Sequence, residues 1–384
     1  MRNRIYLDHA ATTGVLPAVR EAMTPYLEDA YGNPSGVYAT GREAHRALDQ
    51  GRKTAAEAIG ASPREIYFTS GGSESDNWAV MGTAMAQRKK GRHIITSAIE
   101  HHAVLRPCRY LEKLGFEVTC LPVDSRGRIS PEALERAIRP DTVLISLMAA
   151  NNEIGTVQPV AEFGEIARAH GIPFHTDAVQ AMGAMTVNVD EWKADMLSLS
   201  AHKFHGPKGV GLLYIRQGTR VDPLIHGGAQ ERGLRAGTEN TAGIAGMSRA
   251  MEIAAGNIPE RTEKVRGLRN RLCAALREAI PNLRENGDPD HRLPGHANLS
   301  IPGIDGEALL LRLDLAGIAV SSGSACTSGS AEPSHVLEAI GLSEEETKSS
   351  IRITVGEENT EEEMDETART IISIVQDLRS MRGI

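Results

Sequence analysis

Short apolar runs alternate with amphipathic segments through the middle of the chain. Between residues 66 and 215, β-rich runs such as IYFTS, HIITS, TVLISLMAA and MLSLSA are separated by stretches with helical periodicity. Strands that alternate with helices predict an α/β fold with a mainly parallel sheet covered on both faces. Because such sheets hold ligands at the carboxyl ends of their strands, the residues that follow each run are the candidates for function.

The pattern changes after Tyr214. A Gly-rich segment, HGGAQERGLRAGTEN, leads into a helix and then into a charged amphipathic helix over residues 261–279. The later runs ANLSIPG and IRITV, with helices between and after them, predict a smaller α+β unit, and we expect the first dozen residues to pack against it. We therefore predict a large domain over residues 15–256 and a small domain made of residues 1–14 and 257–384.

Composition and charge narrow the classes of function. The 384 residues are 41% hydrophobic and 24% charged, and the formal net charge is -8 without a local run of Lys and Arg. A nucleic-acid partner is not expected from such a charge balance. The N-terminal segment lacks the apolar region of a signal peptide, and no stretch is apolar for about 18 residues, so a cytoplasmic location without membrane contact is expected.

The four cysteines are scattered, without the spacing of a disulfide framework or of a zinc site. Cys108, Cys120 and Cys273 lie in apolar-periodic surroundings, so we expect buried and inert thiols there. Cys326 lies instead in SSGSACTSGSAEP, a run of small residues without apolar periodicity, which predicts an exposed and mobile loop. An accessible, reactive thiol is therefore expected at Cys326.

Two strand ends carry residues suited to a pyridoxal cofactor. In SLSAHKFHGPKGVG, Ser200, His202 and Lys203 follow a strand, the position at which a Schiff-base lysine would lie; a solvated loop lysine, as expected for Lys208, is the alternative. Within the segment IPFHTDAVQ, Asp177 ends another predicted buried strand. A carboxylate there would suit a pyridinium nitrogen, and a helix N-cap is an equally good interpretation.

Two further segments add weaker signals. Gly71, Gly72 and Ser73 lie between a strand and a helix opened by Glu74, an arrangement that suits a phosphate but also an ordinary helix cap. The segment SAIEHHAVLRP places two histidines, at positions 101 and 102, between a strand and a helix. Adjacent histidines can bind a metal, but no third ligand stands at helical spacing. An imidazole lying over a cofactor ring therefore fits this segment better.

The chain also contains five longer motifs: LDHAATT, YGNPS, NNEIG, ERGLRAGTEN and SSGSACTSG. Together with the segments above, they make the chain resemble the NifS/IscS-type cysteine desulfurases, of the class V aminotransferase family, over nearly its whole length. The resemblance implies a pyridoxal 5'-phosphate enzyme of fold type I. It implies three catalytic residues: Lys203 as the aldimine lysine, Cys326 as sulfur acceptor and His101 stacked on the ring. The further implied contacts are Asp177 to the pyridinium nitrogen, Gln180 to the ring oxygen, Gly72, Ser73, Ser200, His202 and Thr238 to the phosphate, Asn152 to cofactor and substrate, and Arg352 to the substrate carboxylate.

The implied reaction converts L-cysteine to L-alanine and leaves the sulfur on Cys326 as a persulfide, for delivery to an acceptor such as an iron-sulfur scaffold protein. In this family the Thr238 contact comes from the neighbouring subunit, which implies a homodimer. No resident metal is implied, although Cys326 is a possible transient iron-sulfur ligand. A selenocysteine lyase, another pyridoxal-phosphate lyase or aminotransferase of the same fold, and a non-catalytic scaffold remain as alternatives.

Two departures from the family pattern stand out. Many relatives carry a His shortly after YGNPS, where this chain has Tyr38, and the common GRFT after Arg352 is replaced by GEENT. The second change is expected to place Glu357 and Glu358 near the substrate arginine, with an effect on substrate affinity or partner docking.

Overall fold

The computed structural model describes residues 4–322 and 333–383. The chain begins with strand β1 (Ile5–Tyr6) and two helices, α1 (Pro17–Glu28) and α2 (Ala39–Ile59). The pattern of apolar runs did not predict these two helices. The buried face of α2 consists mainly of alanine and glycine, so the helix lacks the row of large apolar residues that usually marks an amphipathic segment.

A seven-stranded sheet organises the middle of the chain. Its strands are β2 (Ile66–Thr69), β3 (His93–Ser97), β4 (Glu117–Leu121), β5 (Thr142–Ser146), β6 (Phe174–Asp177), β7 (Met196–Ser200) and β8 (Gly211–Ile215). They lie in the order β2-β8-β7-β6-β5-β3-β4. Strand β8 runs antiparallel to both of its neighbours, while the other pairs are parallel, so the predicted mainly parallel sheet is confirmed.

Helices lie along both faces of this sheet. They are α3 (Gly72–Asn77), α4 (Thr83–Gln87), α5 (His102–Lys113), α6 (Pro131–Ala137), α7 (Val160–Ala169) and α8 (Thr241–Ala255), with a π-helical turn (Trp78–Gly82) between α3 and α4. Successive strand residues pack into different apolar clusters: Ile66 and Phe68 belong to one cluster and Tyr67 to another. Since neighbouring side chains on a strand point to opposite faces, the sheet is buried on both.

The remaining elements form a smaller α+β part. They are α9 (Ile258–Ala279), β9 (Arg284–Asn286), β10 (His296–Ser300), α10 (Gly306–Ala316), β11 (Ile318–Ala319), α11 (His335–Ala339), α12 (Glu344–Lys348), β12 (Ser350–Thr354) and α13 (Glu361–Met381). An antiparallel sheet has the order β12-β10-β9, and β1 pairs in parallel with β11. Ile5 and Leu7 join the apolar cluster of this part. The exact division into two domains stays a prediction.

The cysteines only partly follow expectation. Cys108 and Cys273 are buried, and burial raises the pKa of each thiol to about 12. The expectation for Cys120 is wrong, because its side chain is exposed. Strand β4 is the edge strand of the large sheet, so part of it is uncovered, and a local sequence pattern does not show that.

Two classes of feature are missing from the described part of the chain. None of its helices combines the length and apolar character needed to cross a membrane. Residues 4–322 and 333–383 also contain no group of three or more His, Cys, Asp or Glu side chains arranged to hold a metal ion.

Candidate active site

A cavity of ≈ 520 Å³ lies where strands β6 and β7 end. Most of the residues predicted for the site line it together. They are Gly72, Ser73, His101, Asn152, Asp177, Gln180, Ser200, His202, Lys203 and Arg352. Thr238 does not line the cavity and is exposed in this chain, and Cys326 lies outside the described residues.

Lys203 reaches the cavity from a short 3-10 turn that directly follows β7. Its Nζ donates to the carbonyl oxygens of Ala10, at 2.6 Å, and of Ala11, at 2.9 Å. Gln180 Nε2 donates to the same Ala10 oxygen at 3.0 Å. The amine is therefore held inside the protein, unlike a solvated loop lysine. Lys208, expected to be such a lysine, is exposed but also lines this cavity.

Asp177 is the last residue of β6 and is only 7% exposed. Its Oδ1 accepts the Val179 N–H at 2.9 Å, and the residues that follow form a turn, so the helix N-cap interpretation is wrong. Burial raises the pKa of this carboxyl to about 6, although the Val179 N–H and the positive charge of Lys203 act in the opposite direction. Asp177 is therefore mostly ionised at neutral pH.

His101 caps the N-terminus of α5. Its Nδ1 accepts the Ala103 N–H at 3.1 Å, so the neutral ring carries its hydrogen on Nε2. Burial lowers the pKa of His101 to about 4, with further lowering by Lys203 and His102. The His102 ring contacts His335 instead, with ring centroids 4.7 Å apart and the planes tilted by 36°. The imidazole at position 101 is therefore a neutral hydrogen-bond donor near pH 7.

One wall of the cavity can receive a phosphate. The helix α3 starts at Gly72, two residues earlier than predicted, and Gly71 has φ +152°. A Cβ atom at Gly72 would lie 2.8 Å from Val179 Cγ2 and 3.4 Å from Ser200 Cβ, so only glycine allows this close approach. Free N–H groups at the start of the helix, hydroxyls and His202 would surround an anion here.

Arg352, on β12, forms another wall. It is 1% exposed; its Nη2 lies 2.8 Å from Asp8 Oδ1, and its Nη1 donates to the Asn152 carbonyl oxygen at 3.1 Å. Asp8 was not predicted as a site residue from the sequence. Asp8 is the acidic residue of LDHAATT, and this was the available signal. The guanidinium is held in place by an ion pair across 344 residues of sequence.

Two buried carboxyl groups near the cavity were also missed. Glu100 is fully buried and accepts hydrogen bonds from Ser97 Oγ at 2.6 Å and from the Met148 N–H at 3.0 Å. Burial raises the pKa of this carboxyl to about 8. Asp76, on α3, is 1% exposed and lines the cavity. Acidic residues next to a helix start are usually capping residues, so a local sequence pattern does not mark either one as part of a site.

The departures from the family pattern lie outside this cavity. Glu357 pairs with Arg261 at 3.1 Å, and Glu358 Oε1 lies 3.6 Å from His9 Nδ1. Neither glutamate lines the wall that holds Arg352, which corrects the expectation that they lie beside it. Tyr38 precedes α2 and is 55% exposed. These acidic groups are therefore not placed to compete directly for a substrate carboxylate.

This fold and site define the class of protein. The sequence matches the family described as Aminotransferase class-V over residues 5–367. Members of that family use pyridoxal phosphate, in keeping with a lysine at a strand end and an aspartate at the next one.

Individual relatives show which group within this family the chain is similar to. A protein named "Cysteine desulfurase IscS" from Methanosarcina thermophila is 53% identical over 377 residues, covering 98% of this chain and 93% of that protein. A solved structure, "NIFS-LIKE PROTEIN", superposes with a TM-score of 0.92 at 41% identity, covering 98% of this chain and 100% of that one. Another, "SspA in complex with cysteine", has a TM-score of 0.82 at 40% identity and covers 93% and 100%. The chain therefore belongs to the class V aminotransferase family and, within it, to the NifS/IscS-type cysteine desulfurases.

Proposed function

We propose that this protein is a pyridoxal-phosphate-dependent cysteine desulfurase that converts L-cysteine to L-alanine and passes the sulfur to Cys326. One observation carries the proposal: the Lys203 amine, the Asp177 carboxylate and the Arg352 guanidinium line the same cavity. A structural relative solved with cysteine supports the choice of substrate.

The residues present fit the cofactor. Asp177 is a buried anion suited to a protonated ring nitrogen, Gln180 and His101 offer donors to the ring region, and the Gly72 wall offers donors to the phosphate. Thr238 of a second copy completes the phosphate contacts. The bound pyridoxal ring supplies an electron sink for bonds broken at the substrate.

The chain's own groups then bind the substrate and move its protons. Arg352 holds the substrate carboxylate through its guanidinium fork, with Asn152 beside it. Lys203 Nζ takes the proton from the substrate Cα. His101, with its hydrogen on Nε2, can donate a proton at the same site.

Cys326 completes the reaction. Its thiolate attacks the substrate sulfur, the carbon-sulfur bond breaks, and a sulfur-sulfur bond forms, giving a persulfide on Cys326. The electron pair of the broken bond stays on the carbon fragment, which takes up a proton and leaves as alanine.

The residues on either side of the Cys326 segment support this role. Ser321 and Arg352 exchange two backbone hydrogen bonds, of 3.1 and 2.7 Å. On the other side, His335 Nε2 lies 3.0 Å from the Glu100 carbonyl oxygen, next to His101. The described residues on both sides of position 326 therefore lie next to the cavity, at Arg352 on one side and at the neighbour of His101 on the other.

Replacing the thiol tests the proposal. With Cys326→Ala, cysteine should still bind but persulfide sulfur should no longer form on the enzyme, as measured by mass spectrometry of the intact protein and by sulfide released with a thiol reductant. Cys120→Ala, which removes the exposed cysteine of β4, is the matched control and should be unchanged. Undiminished sulfur release by Cys326→Ala would refute the mechanism.

The assembly and the cellular partners belong to the same proposal. A homodimer would bring Thr238 of one copy to the cavity of the other and would cover exposed apolar side chains such as Tyr31 and Val37, which are 78% and 87% exposed in the single chain. The persulfide would go to an acceptor such as an iron-sulfur scaffold protein in the cytoplasm, where Cys326 can serve as a transient cluster ligand.

A further inference from the structure

Asp76 is a buried carboxyl group on the cavity wall to which the proposed reaction assigns no task. Its side chain is 1% exposed and lines the same cavity as Asp177. Its Oδ1 atom has no hydrogen-bond partner among the described residues. A buried carboxylate with an oxygen left unpartnered is strongly disfavoured as an anion, whereas the neutral acid is tolerated.

His175 lies beside Asp76. It precedes Asp177 by two residues on β6, so both side chains point to the same face of the sheet. The ring is held between two hydroxyls, with Nδ1 2.8 Å from Ser146 Oγ and Nε2 2.9 Å from Ser198 Oγ. Its Nε2 is also 3.7 Å from Asp76 Oδ1. Burial lowers the pKa of His175 to about 3, so the ring is neutral and gives Asp76 no positive charge.

The other charged groups that face Asp76 are carboxyls. Burial raises the pKa of Asp76 well above its usual value, and the negative charges of Asp177 and Glu100 raise it further, while a hydrogen bond from Ser198 lowers it. Of the two aspartates, Asp177 is the one favoured to ionise, because the Val179 N–H and Lys203 lower its pKa. Because like charges repel, two neighbouring buried carboxyls release their protons in separate steps.

We infer that Asp76 carries a proton at neutral pH and is a positioning residue, keeping the single negative charge of the Asp76–Asp177 pair on Asp177, which faces the cavity. The inference rests on the proposed function, in which Asp177 meets the ring nitrogen of pyridoxal phosphate. Once Asp76 loses its proton, at a pH above its ordinary range, the second negative charge strengthens the attraction for a protonated ring.

The test compares the dissociation constant of pyridoxal phosphate from the full-length wild-type protein and from Asp76→Asn across neutral and alkaline pH. The amide is neutral, as we infer the native acid to be, so the two constants should differ by less than about threefold at pH 7. Above the pH at which Asp76 ionises, wild type should bind up to about tenfold more tightly than the variant.

Two controls locate the effect. A cofactor analogue with carbon in place of the ring nitrogen should show no difference between wild type and Asp76→Asn at any pH. Glu100→Gln removes the other buried carboxyl with a raised pKa and should keep the alkaline tightening. Asp76→Ser, a second neutral side chain, should follow Asp76→Asn and replaces it if that variant does not fold.

Three results would overturn the inference: a tenfold or larger weakening already at pH 7, superimposable curves over the whole range, or loss of the alkaline tightening in Glu100→Gln alone. If wild type binds no pyridoxal phosphate, the proposed function itself fails. Binding without the Asp76 effect refutes only the inference.

Discussion

The two walls of the cavity hold their buried charges in different ways. At the large sheet, the carboxyls of Asp76, Asp177 and Glu100 all have pKa values raised by burial. At the small sheet, Arg352 is paired with Asp8 at 2.8 Å, and a guanidinium stays charged at every physiological pH. Charge at the first wall depends on the surroundings and on pH, whereas charge at the second is permanent. The wall at the large sheet, with Asp177 and Lys203, suits proton chemistry and is called the chemical wall. The wall with Arg352 and Asp8 suits recognition of a carboxylate and is called the recognition wall.

The largest effect is expected at the chemical wall. Lys203→Ala should lower kcat by about 10⁴-fold or more, because it removes both the cofactor's anchor and the base at the substrate Cα. The measurement is steady-state alanine formation, together with the loss of the visible absorption of the bound cofactor. Lys208→Ala, a lysine of the same cavity that has no proposed chemical role, should reduce kcat far less; an equal loss in both variants would contradict the assignment.

An intermediate effect is expected at the recognition wall. Arg352→Gln should lower kcat/KM for cysteine by about a hundredfold, mainly through KM, because the substrate carboxylate loses its buried cation. The visible spectrum of the bound cofactor should persist, unlike in Lys203→Ala. Arg312→Gln, which removes a partly exposed arginine paired with Asp377, is the control and should leave KM unchanged. A change in kcat without a change in KM would show that the two walls do not divide the work in this way.

The smallest effect is a pH dependence that belongs to the chemical wall alone. Asp177 has a raised pKa of about 6, so it is charged above that pH and neutral below it. Cofactor affinity should therefore fall as pH drops through about 6, by up to about tenfold per pH unit, as the attraction for the protonated ring is lost. Equilibrium dialysis of pyridoxal phosphate between pH 5 and pH 8 measures this affinity over roughly the range in which such a group titrates.

Two variants sharpen that measurement. Asp177→Asn should bind pyridoxal phosphate weakly at all these pH values, and its affinity should not fall further at acid pH. Asp195→Asn removes another carboxyl whose pKa burial raises, but one that does not line the cavity, and should keep the decline. An acid decline that survives in Asp177→Asn would assign the titration to a different group.

Much of the site could be predicted because its residues follow strands directly. Asp177 and Lys203 come at or just after the ends of buried runs, and parallel strands bring their carboxyl ends to one edge of a sheet. The resemblance to a known family supplied the residues that no local pattern marks, such as Asn152 and Gln180. Both now line the cavity.

Other features could not be predicted from local patterns. The exposure of Cys120 depends on β4 being an edge strand. Glu357 and Glu358 find Arg261 and His9 as partners, rather than Arg352, because the chain turns after β12 and packs against the start of α9 and the N-terminal segment.

By itself, the sequence determined the mainly parallel sheet, the strand ends that carry chemistry and the family, because the alternation of apolar and polar residues and the motif segments are local properties. The tertiary structure alone decided that Asp8 holds Arg352 and that His175 lies beside Asp76 on the wall that also carries Asp177. These contacts join residues far apart in the chain, and burial then changes the cost of their charges. Proximity and burial in the folded protein, which no sequence window contains, set those protonation states.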